Sequence, residues 1–366
     1  MSKGRVLVAM SGGVDSSVTA FLLKEQGYEC IGCTMKLFDN DDIGISDTHA
    51  CSNMADVEDA RKIAAKLDMP HYLVDFSKDF KEKIIDKFVS SYEMGITPNP
   101  CVDCNKNMKF KMLYDKAREL NCDFVATGHY ARITNDGDSF QLRKAVDPSK
   151  DQSYVLFNMT QDQLSRTIFP LGGMTKSEAR EIAEKNGFVN AHKPDSQDIC
   201  FVPHGDYAKI VELHSGKGSE PGDFIDGDGN VLGQHRGIIH YTIGQRKGLG
   251  ISAPHPLYVS EINPDSNTVT LVKNEELFSC ELFADNPSWT SGQEPPNGFR
   301  CSAKIRYKHR EQPATLYIEE TAESNSTGLI RLVFDEPQRA ITPGQALVIY
   351  DGDKVIGGGT IIRGGK

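Results

Sequence analysis

The chain lacks any apolar run long enough to cross a bilayer, which excludes a helical membrane span. It lacks a secretory signal pattern too: the first residues run straight into an apolar strand, so a cytoplasmic setting is expected. Basic charge is in short supply. Lys and Arg number 41 against 51 Asp and Glu, for a formal net charge of −10. That weighs against a broad nucleic-acid-binding face and leaves any RNA contact to local basic patches. Nine cysteines is an odd count at irregular spacing. A disulfide framework is therefore not expected, and reactive or metal-binding thiols in a reducing compartment are. There is no internal repeat and no low-complexity tract, and 366 residues suffice for two or three domains.

What the chain does have begins at once. Ala9-Met10-Ser11-Gly12-Gly13-Val14-Asp15-Ser16 follows the apolar run Val6-Leu7-Val8. The pattern reads as a strand, a glycine-rich turn and a helix starting near Ser16. Glycines permit positive φ and close approach of a ligand, while successive amides backed by a helix dipole form an anion cradle. Ser11, Ser16 and Ser17 add hydroxyl donors. Asp15 makes sense beside a phosphate when a cation lies between them. No G-K-[ST] follows and the spacing is not G-x-G-x-x-G, so this is neither a Walker A loop nor a dinucleotide fingerprint.

Strand and helix patterns then alternate: strands over 5–10, 28–35, 71–76 and 123–127, helices over 16–26, 56–67, 80–92, 107–120 and 177–185. Such alternation predicts a Rossmann-like parallel sheet with helices on both faces and a ligand at the carboxyl ends of its strands. The last helix carries a capping box, Thr175 with Glu178, and Gly187 just beyond its end. After about Cys200 the runs become short and β-branched among Gly, Pro and Asp turns. The expected division is an α/β domain over 1–205, a small β domain over 206–278 and a β-barrel over 279–366. Ile238-Ile239 is read with these strands. Asp226-Gly227-Asp228-Gly229-Asn230 opens like a calcium loop, but Gly237 stands where the bidentate Glu belongs, so a hairpin turn is expected. Arg300, Lys304, Arg306, Lys308 and Arg310, with Tyr307 and His309 interleaved, alternate as a basic ridge on one strand would.

Among the cysteines, Thr97-Pro98-Asn99-Pro100-Cys101-Val102-Asp103-Cys104-Asn105 stands out. Two prolines stiffen a loop before a helix, which would put Cys104 at a helix N-terminus with a lowered thiol pKa. Lys106, Lys109 and Lys111 add positive field. Cys200, in Asp195-Ser196-Gln197-Asp198-Ile199-Cys200-Phe201, gains interest only beside Cys104. Cys30 and Cys33 are spaced C-x-x-C within a strand, where residues three apart face opposite ways, so they read as core. Cys51, Cys122, Cys280 and Cys301 have no visible partners.

The glycine-rich loop resembles the S-G-G-x-D-S loop of PP-loop ATP pyrophosphatases. Taken with T-P-N-P-x-x-x-C-N, Gly128-His129-Tyr130-Ala131-Arg132 and D-S-x-x-I-C-F, in that order, the chain resembles the tRNA-specific 2-thiouridylases along essentially its whole length. The resemblance implies an enzyme that thiolates C2 of the wobble uridine of tRNA (a tRNA-uridine 2-sulfurtransferase). ATP adenylates the C2 oxygen, giving AMP and diphosphate, and a cysteine persulfide supplies the sulfur. By position, Ala9, Met10, Ser11, Gly12, Gly13, Val14, Asp15 and Ser16 would bind ATP with Met35 and Gly128, with Asp15 on Mg²⁺. Cys104 would be the nucleophile and Cys200 the persulfide carrier, resolved as hydrosulfide or as a transient Cys104–Cys200 disulfide. Asn99, Pro100 and Cys101 would meet the target base, and His129, Lys150, Asp151, Gln152, Arg306, Tyr307 and Gln345 would touch tRNA. A cysteine desulfurase or sulfur-relay protein is the implied sulfur donor. Some relatives carry Asp where this chain has Cys101, which leaves base work minor or with Asp103. The same substitution raises a second expectation: Cys101, Cys104 and Cys200 as three ligands of an iron–sulfur cluster. A PP-loop enzyme that adenylates a carboxylate or amide and uses ammonia would need neither the cysteine pair nor a basic C-terminal barrel.

Overall fold

Val6, Leu7 and Val8 are wholly buried, so strand β1 (Arg5–Ala9) is covered on both faces, as parallel strands are. The computed structural model describes residues 2–44, 52–195, 198–215, 217–319 and 328–365. Around β1 lie β2 (Glu29–Lys36), β3 (His71–Asp75), β4 (Phe124–Ala126) and, after an antiparallel hairpin β5 (Arg132–Asn135)–β6 (Phe140–Arg143), β7 (Thr167–Ile168). The sheet order is β3-β2-β1-β4-β7 and every pair is parallel. Val6 and Val8 pack on helices Val14–Glu25, Ser52–Lys66 and Lys176–Lys185 through Val18, Ala60 and Ala179. Leu7 packs the other way, on Phe110, Leu113 and Ala117 of the helical run 100–119. Cys30 lies in the first of these cores and Cys33 in the second, the opposite faces expected of a strand. Strand order reverses between β1 and β4, which opens a crevice at their carboxyl ends.

Two boundaries differ from expectation for local reasons. The first helix starts at Val14, with extended Gly13 as its N-cap, rather than near Ser16. The helix carrying Cys104 starts at Pro100 rather than 107, because proline suits the first helical position. Residues 105–112 of that run are wound as π turns, and Phe110 (φ −106°, ψ 16°) marks a kink.

The central part pairs β8 (Gly222–Ile225), β9 (Val231–His235), β10 (Tyr258–Asn263) and β11 (Thr268–Val272) in the order β10-β11-β8-β9. The Asp226 segment is the β8–β9 turn: its carboxylate accepts the amides of Asp228 (3.0 Å) and Asn230 (2.8 Å). Ile238–His240, expected among the strands, is a 3₁₀ turn. Phe224, Val259 and Val269 share a core with Phe80, Phe88, Tyr92 and Phe201, so this part packs directly on the first.

Strands β12 (Phe278–Trp289), β13 (Phe299–Lys304), β14 (Gln312–Glu319), β15 (Leu329–Arg339), β16 (Ala346–Asp351) and β17 (Lys354–Gly364) form a barrel of six, closed by β12–β17 pairing. The β5–β6 hairpin extends its sheet at β17. Asp353 clamps that join, accepting from Arg132 (2.8 Å) and Arg143 (2.6 Å). The expected basic ridge is not a strand. β13 ends at Lys304, Arg306 to Arg310 follow in turns, and Arg300 is paired with Asp335. Alternation of charge mimicked a strand whose ladder stops at the barrel rim.

Candidate active site

The crevice between β1 and β4 holds the glycine-rich loop. Gly12 has φ +76°, and a Cβ there would sit 2.2 Å from the carbonyl oxygen of Asp56. Gly128, in the turn after β4, lies against the start of the first helix; a Cβ on it would be 3.0 Å from the Ser16 amide. The loop thus closes on the second helix at Gly12 and on the turn after β4 at Gly128, and each approach is open only because glycine carries no side chain. Buried Ser16 and Ser17 each turn their hydroxyl inward to the Gly13 carbonyl (3.0 and 3.1 Å), and Ser16 Oγ also accepts the Ser11 amide. Ser11 is exposed at the loop tip. Two of the three serines therefore brace the cradle, and Ser11 is the one presented to a ligand. The first amides of the helix have no intrahelical acceptors and supply the cradle's donors. Met35 stands at the carboxyl end of β2, half-buried beside this crevice.

Asp15 has a cation beside it. Lys176 Nζ donates to both of its oxygens (2.7 and 2.8 Å), and the Tyr130 hydroxyl donates to Oδ1 (2.9 Å). Lys176 is 8 % exposed and also pairs with Asp195 at 2.8 Å. Lys150 and Arg180 converge on the same Asp195 (2.8 and 2.9 Å). Burial alone would raise the Asp195 pKa, but hydrogen bonds from Lys150 and Lys176 hold it down at about 2. Asn190 Nδ2 bonds the Gly12 carbonyl and Ser17 Oγ (both 2.9 Å), and Lys193 pairs with Asp56 and Asp59. Tyr130 was flagged in sequence only as a member of the Gly128–Arg132 motif, and Lys176, Asn190 and Lys193 were given no role there: Lys176 reads as an ordinary first-turn lysine beside a capping box.

The thiols form a second centre. Cys101 and Cys200 are open to solvent yet crowded by protein on most sides, as on the wall of a recess, and Cys104 is half-buried between them and the aromatic core. Phe201 anchors the Cys200 segment between Phe80 and Phe88, with ring centroids at 5.6 and 5.1 Å. Ser196 and Gln197 lie outside the described residues, as does Cys51. The expectation of a lowered Cys104 pKa is overturned. Cys104 is the fifth residue of its helix, not the cap, and burial pushes its thiol up to about 11. Burial, aided by Cys104 and Cys101, pushes Cys200 up to about 12. The cation opposing this at all three thiols is Lys109. The iron–sulfur expectation finds no fit: among the described residues no group of three His, Cys, Asp or Glu is arranged to hold a metal ion, this trio included. Asp103 accepts from Lys87 at 2.7 Å.

The residues expected on tRNA have internal partners. Lys150 is on Asp195; Asp151 accepts from Ala145 and Ser153; Gln152 exchanges bonds with the Tyr130 backbone. His129 is buried, with Thr127 on Nδ1 (2.6 Å) and Lys109 on Nε2 (3.3 Å). Gln345 Nε2 donates to the carbonyls of Thr97 and Pro98 (2.9 and 3.2 Å), so it holds the loop leading to Asn99 and Pro100. Asn99 bonds Tyr154, whose hydroxyl donates to the Ala346 carbonyl. Tyr307 is exposed, 5.9 Å from the Tyr154 ring, and Lys304 lies over both rings. Arg306 is half-buried and donates to the Arg339 carbonyl.

The chain matches the family models described as tRNA methyl transferase HUP domain over residues 4–204, tRNA methyl transferase PRC-barrel domain over 212–273 and aminomethyltransferase β-barrel domain over 279–361. It is 50 % identical over 359 residues, 98 % of each chain, to a protein of Clostridioides difficile (strain 630) named tRNA-specific 2-thiouridylase MnmA. Proteins of the same name from Lachnoclostridium phytofermentans and Carboxydothermus hydrogenoformans are each 47 % identical, covering 98 % and 99 % of this chain and 99 % and 98 % of theirs. With a nucleotide-type loop, a thiol recess and relatives matched from end to end, the chain belongs to the tRNA-specific 2-thiouridylase MnmA family.

Proposed function

We propose that the protein replaces the C2 oxygen of the wobble uridine of tRNA with sulfur, at the expense of ATP. The observation that carries this is the pairing of one anion cradle with one thiol recess, to which residues far apart in sequence, Cys104 and Cys200, are both brought. A pyrimidine C2 carbonyl is a poor electrophile until its oxygen becomes part of a good leaving group. The uridine O2 attacks the α-phosphorus of ATP bound over Ala9–Ser16, with Met35 and Gly128 beside the base, and diphosphate departs. Mg²⁺ bound with ATP would supply the charge that neutralises diphosphate, and Asp15, whose oxygens are held by Lys176 and Tyr130, is the loop carboxylate that would meet it. The target uridine reaches the recess only if flipped from its stack, where Asn99, Pro100 and Cys101 meet it.

Sulfur comes as a persulfide on Cys200, loaded by a cysteine desulfurase or relay protein. Either its terminal sulfur displaces AMP from C2 and Cys104 then cleaves the Cys200–sulfur bond, or Cys104 first frees hydrosulfide, which displaces AMP. Both routes leave 2-thiouridine, AMP and a Cys104–Cys200 disulfide. The two electrons that take the sulfane sulfur to sulfide come from the two cysteines, and an external thiol restores them. The protein acts in the cytoplasm, where such reductants are held.

The test is thiolation in vitro with ATP, Mg²⁺, a desulfurase, cysteine and unmodified tRNA, read by nucleoside analysis. Wild type gives 2-thiouridine; Cys104→Ser and Cys200→Ser give none, while diphosphate release persists. Thiolation by either variant at the wild-type rate sinks the cysteine route.

A further inference from the structure

We propose that Lys109, seated by a neutral His129, is the residue that draws Cys104 and Cys200 into their reactive thiolate forms, and that the π-wound segment 105–112 places it there. The inference rests on the thiol chemistry just proposed and adds residues to it.

In an α-helix with 3.6 residues per turn, five positions on from Cys104 is nearly the far side. Bonds in a π turn run five residues along, which brings residue i+5 back over residue i, and such turns concentrate at functional sites. Residues 105–112 are wound in this way, and Lys109 is the fifth residue after Cys104. Its side chain is then fixed by chemistry that admits one arrangement. An ammonium has only donors, so at 3.3 Å the His129 Nε2 must accept. Nδ1 therefore carries the ring proton and donates to Thr127 Oγ1 at 2.6 Å. That ring is neutral, and burial with the Lys109 charge keeps it so, well below the usual histidine range. Phe110 and Phe169 wall it in, with ring centroids at 6.1 and 5.8 Å. Thr127 is buried and directly follows β4, so the Lys109 charge is referenced to the end of the sheet.

The charges facing the thiols are few. Cys104 feels Lys109, Cys101 and Asp103, the last already tied to Lys87. Cys200 feels Lys109, Cys104 and Cys101. Cys101 feels Lys109, and Tyr307 is its neighbour across the recess. Burial raises every thiol and each thiolate opposes the next, so Lys109 is the shared group that favours ionisation. The thiol proton passes to solvent at the open side of the recess. Lys109 acts by charge.

Iodoacetamide alkylation of Cys104 and Cys200, read by peptide mass spectrometry across pH, tests this without ATP or tRNA. Lys109→Met is expected to slow alkylation of both thiols roughly tenfold at fixed neutral pH. Lys109→Arg keeps the wild-type profile. His129→Phe, which removes the acceptor, shifts the profile in the direction of Lys109→Met. Should Lys109→Met fail to fold, Lys109→Gln is read in its place. A neutral variant whose profile superimposes on wild type overturns the proposal, as does an Arg variant shifted as far as Met. Because the readout is the free protein's thiols, a failure of tRNA thiolation with this result intact counts against the proposed function alone.

Discussion

His309 and His129 meet the same physics from different sides of the molecule. Burial and the nearby Arg306 hold His309 at about 4, and burial with Lys109 holds His129 well below its usual value. Both are neutral when folded, whereas the unfolded chain takes up protons near pH 6.5. The unfolded state then binds more protons, so stability is full above about 6.5 and falls as pH drops from there towards 4. Urea midpoints measured from pH 7 to pH 5 are expected to decline, and His309→Gln is expected to flatten that decline; an unchanged slope would count against a neutral buried ring. Gly12 is constrained by sterics rather than charge. Gly12→Ala puts a Cβ into the Asp56 backbone at a positive φ, and strain of about 1–3 kcal/mol should appear as a lower Tm, with ATP binding weakened at least tenfold by calorimetry. The loop was legible in sequence because its chemistry is contiguous: glycines, serines and one acid within eight residues. Lys176 and Asn190 were not, because nothing local distinguishes a lysine that turns into a crevice from one that faces water.

The helical run 100–119 shows what periodicity hides. Its apolar positions fit an α-helix well enough to predict one, but a π turn changes which residues share a face without changing the composition. The helix begins at Pro100, so the thiol expected at its start is instead half-buried at its fifth residue, with a lysine one wide turn on. Phe201 and Asp195 are held differently, Phe201 in an aromatic slot and Asp195 under three cations. Asp195→Asn leaves Lys176 to Asp15 alone and removes the charged anchor five residues before Cys200. Its Tm should fall by a few degrees and Cys200 alkylation should quicken severalfold, with Cys104 unchanged; equal rates at Cys200 would mean that Phe201 alone fixes Cys200. The basic strand expected over 300–310 failed for a related reason, since alternation of charge continues past the residue at which the ladder of backbone bonds ends.

Across the whole molecule the three parts share cores rather than touching at loops. Tyr350 and Val348 of the barrel pack with Leu7 and Val125 of the first sheet, and Phe224 of the central part packs with Phe88 and Phe201. The alternation of elements made the α/β half legible, and short β-branched runs foretold the β halves. The β5–β6 hairpin that extends the barrel's sheet was not legible, because strand pairing across two hundred residues leaves no local trace. One consequence lies where the barrel reaches the site. The 342–345 turn receives the Thr97 amide on Pro343 O and returns Gln345 Nε2 to the Thr97 and Pro98 carbonyls, so the loop bearing Asn99 is aligned by the barrel. Gln345→Ala removes two hydrogen bonds worth about 1 kcal/mol each and leaves the nucleotide crevice untouched. Single-turnover thiolation should slow roughly tenfold, because a misplaced positioning loop costs rate rather than fold. ATP affinity should stay within error of wild type, and Tm should fall by only a few degrees. Were Gln345 instead a plain tRNA contact, tRNA affinity would fall while the rate at saturating tRNA held, and the two parameters measured together separate a brace from a grip.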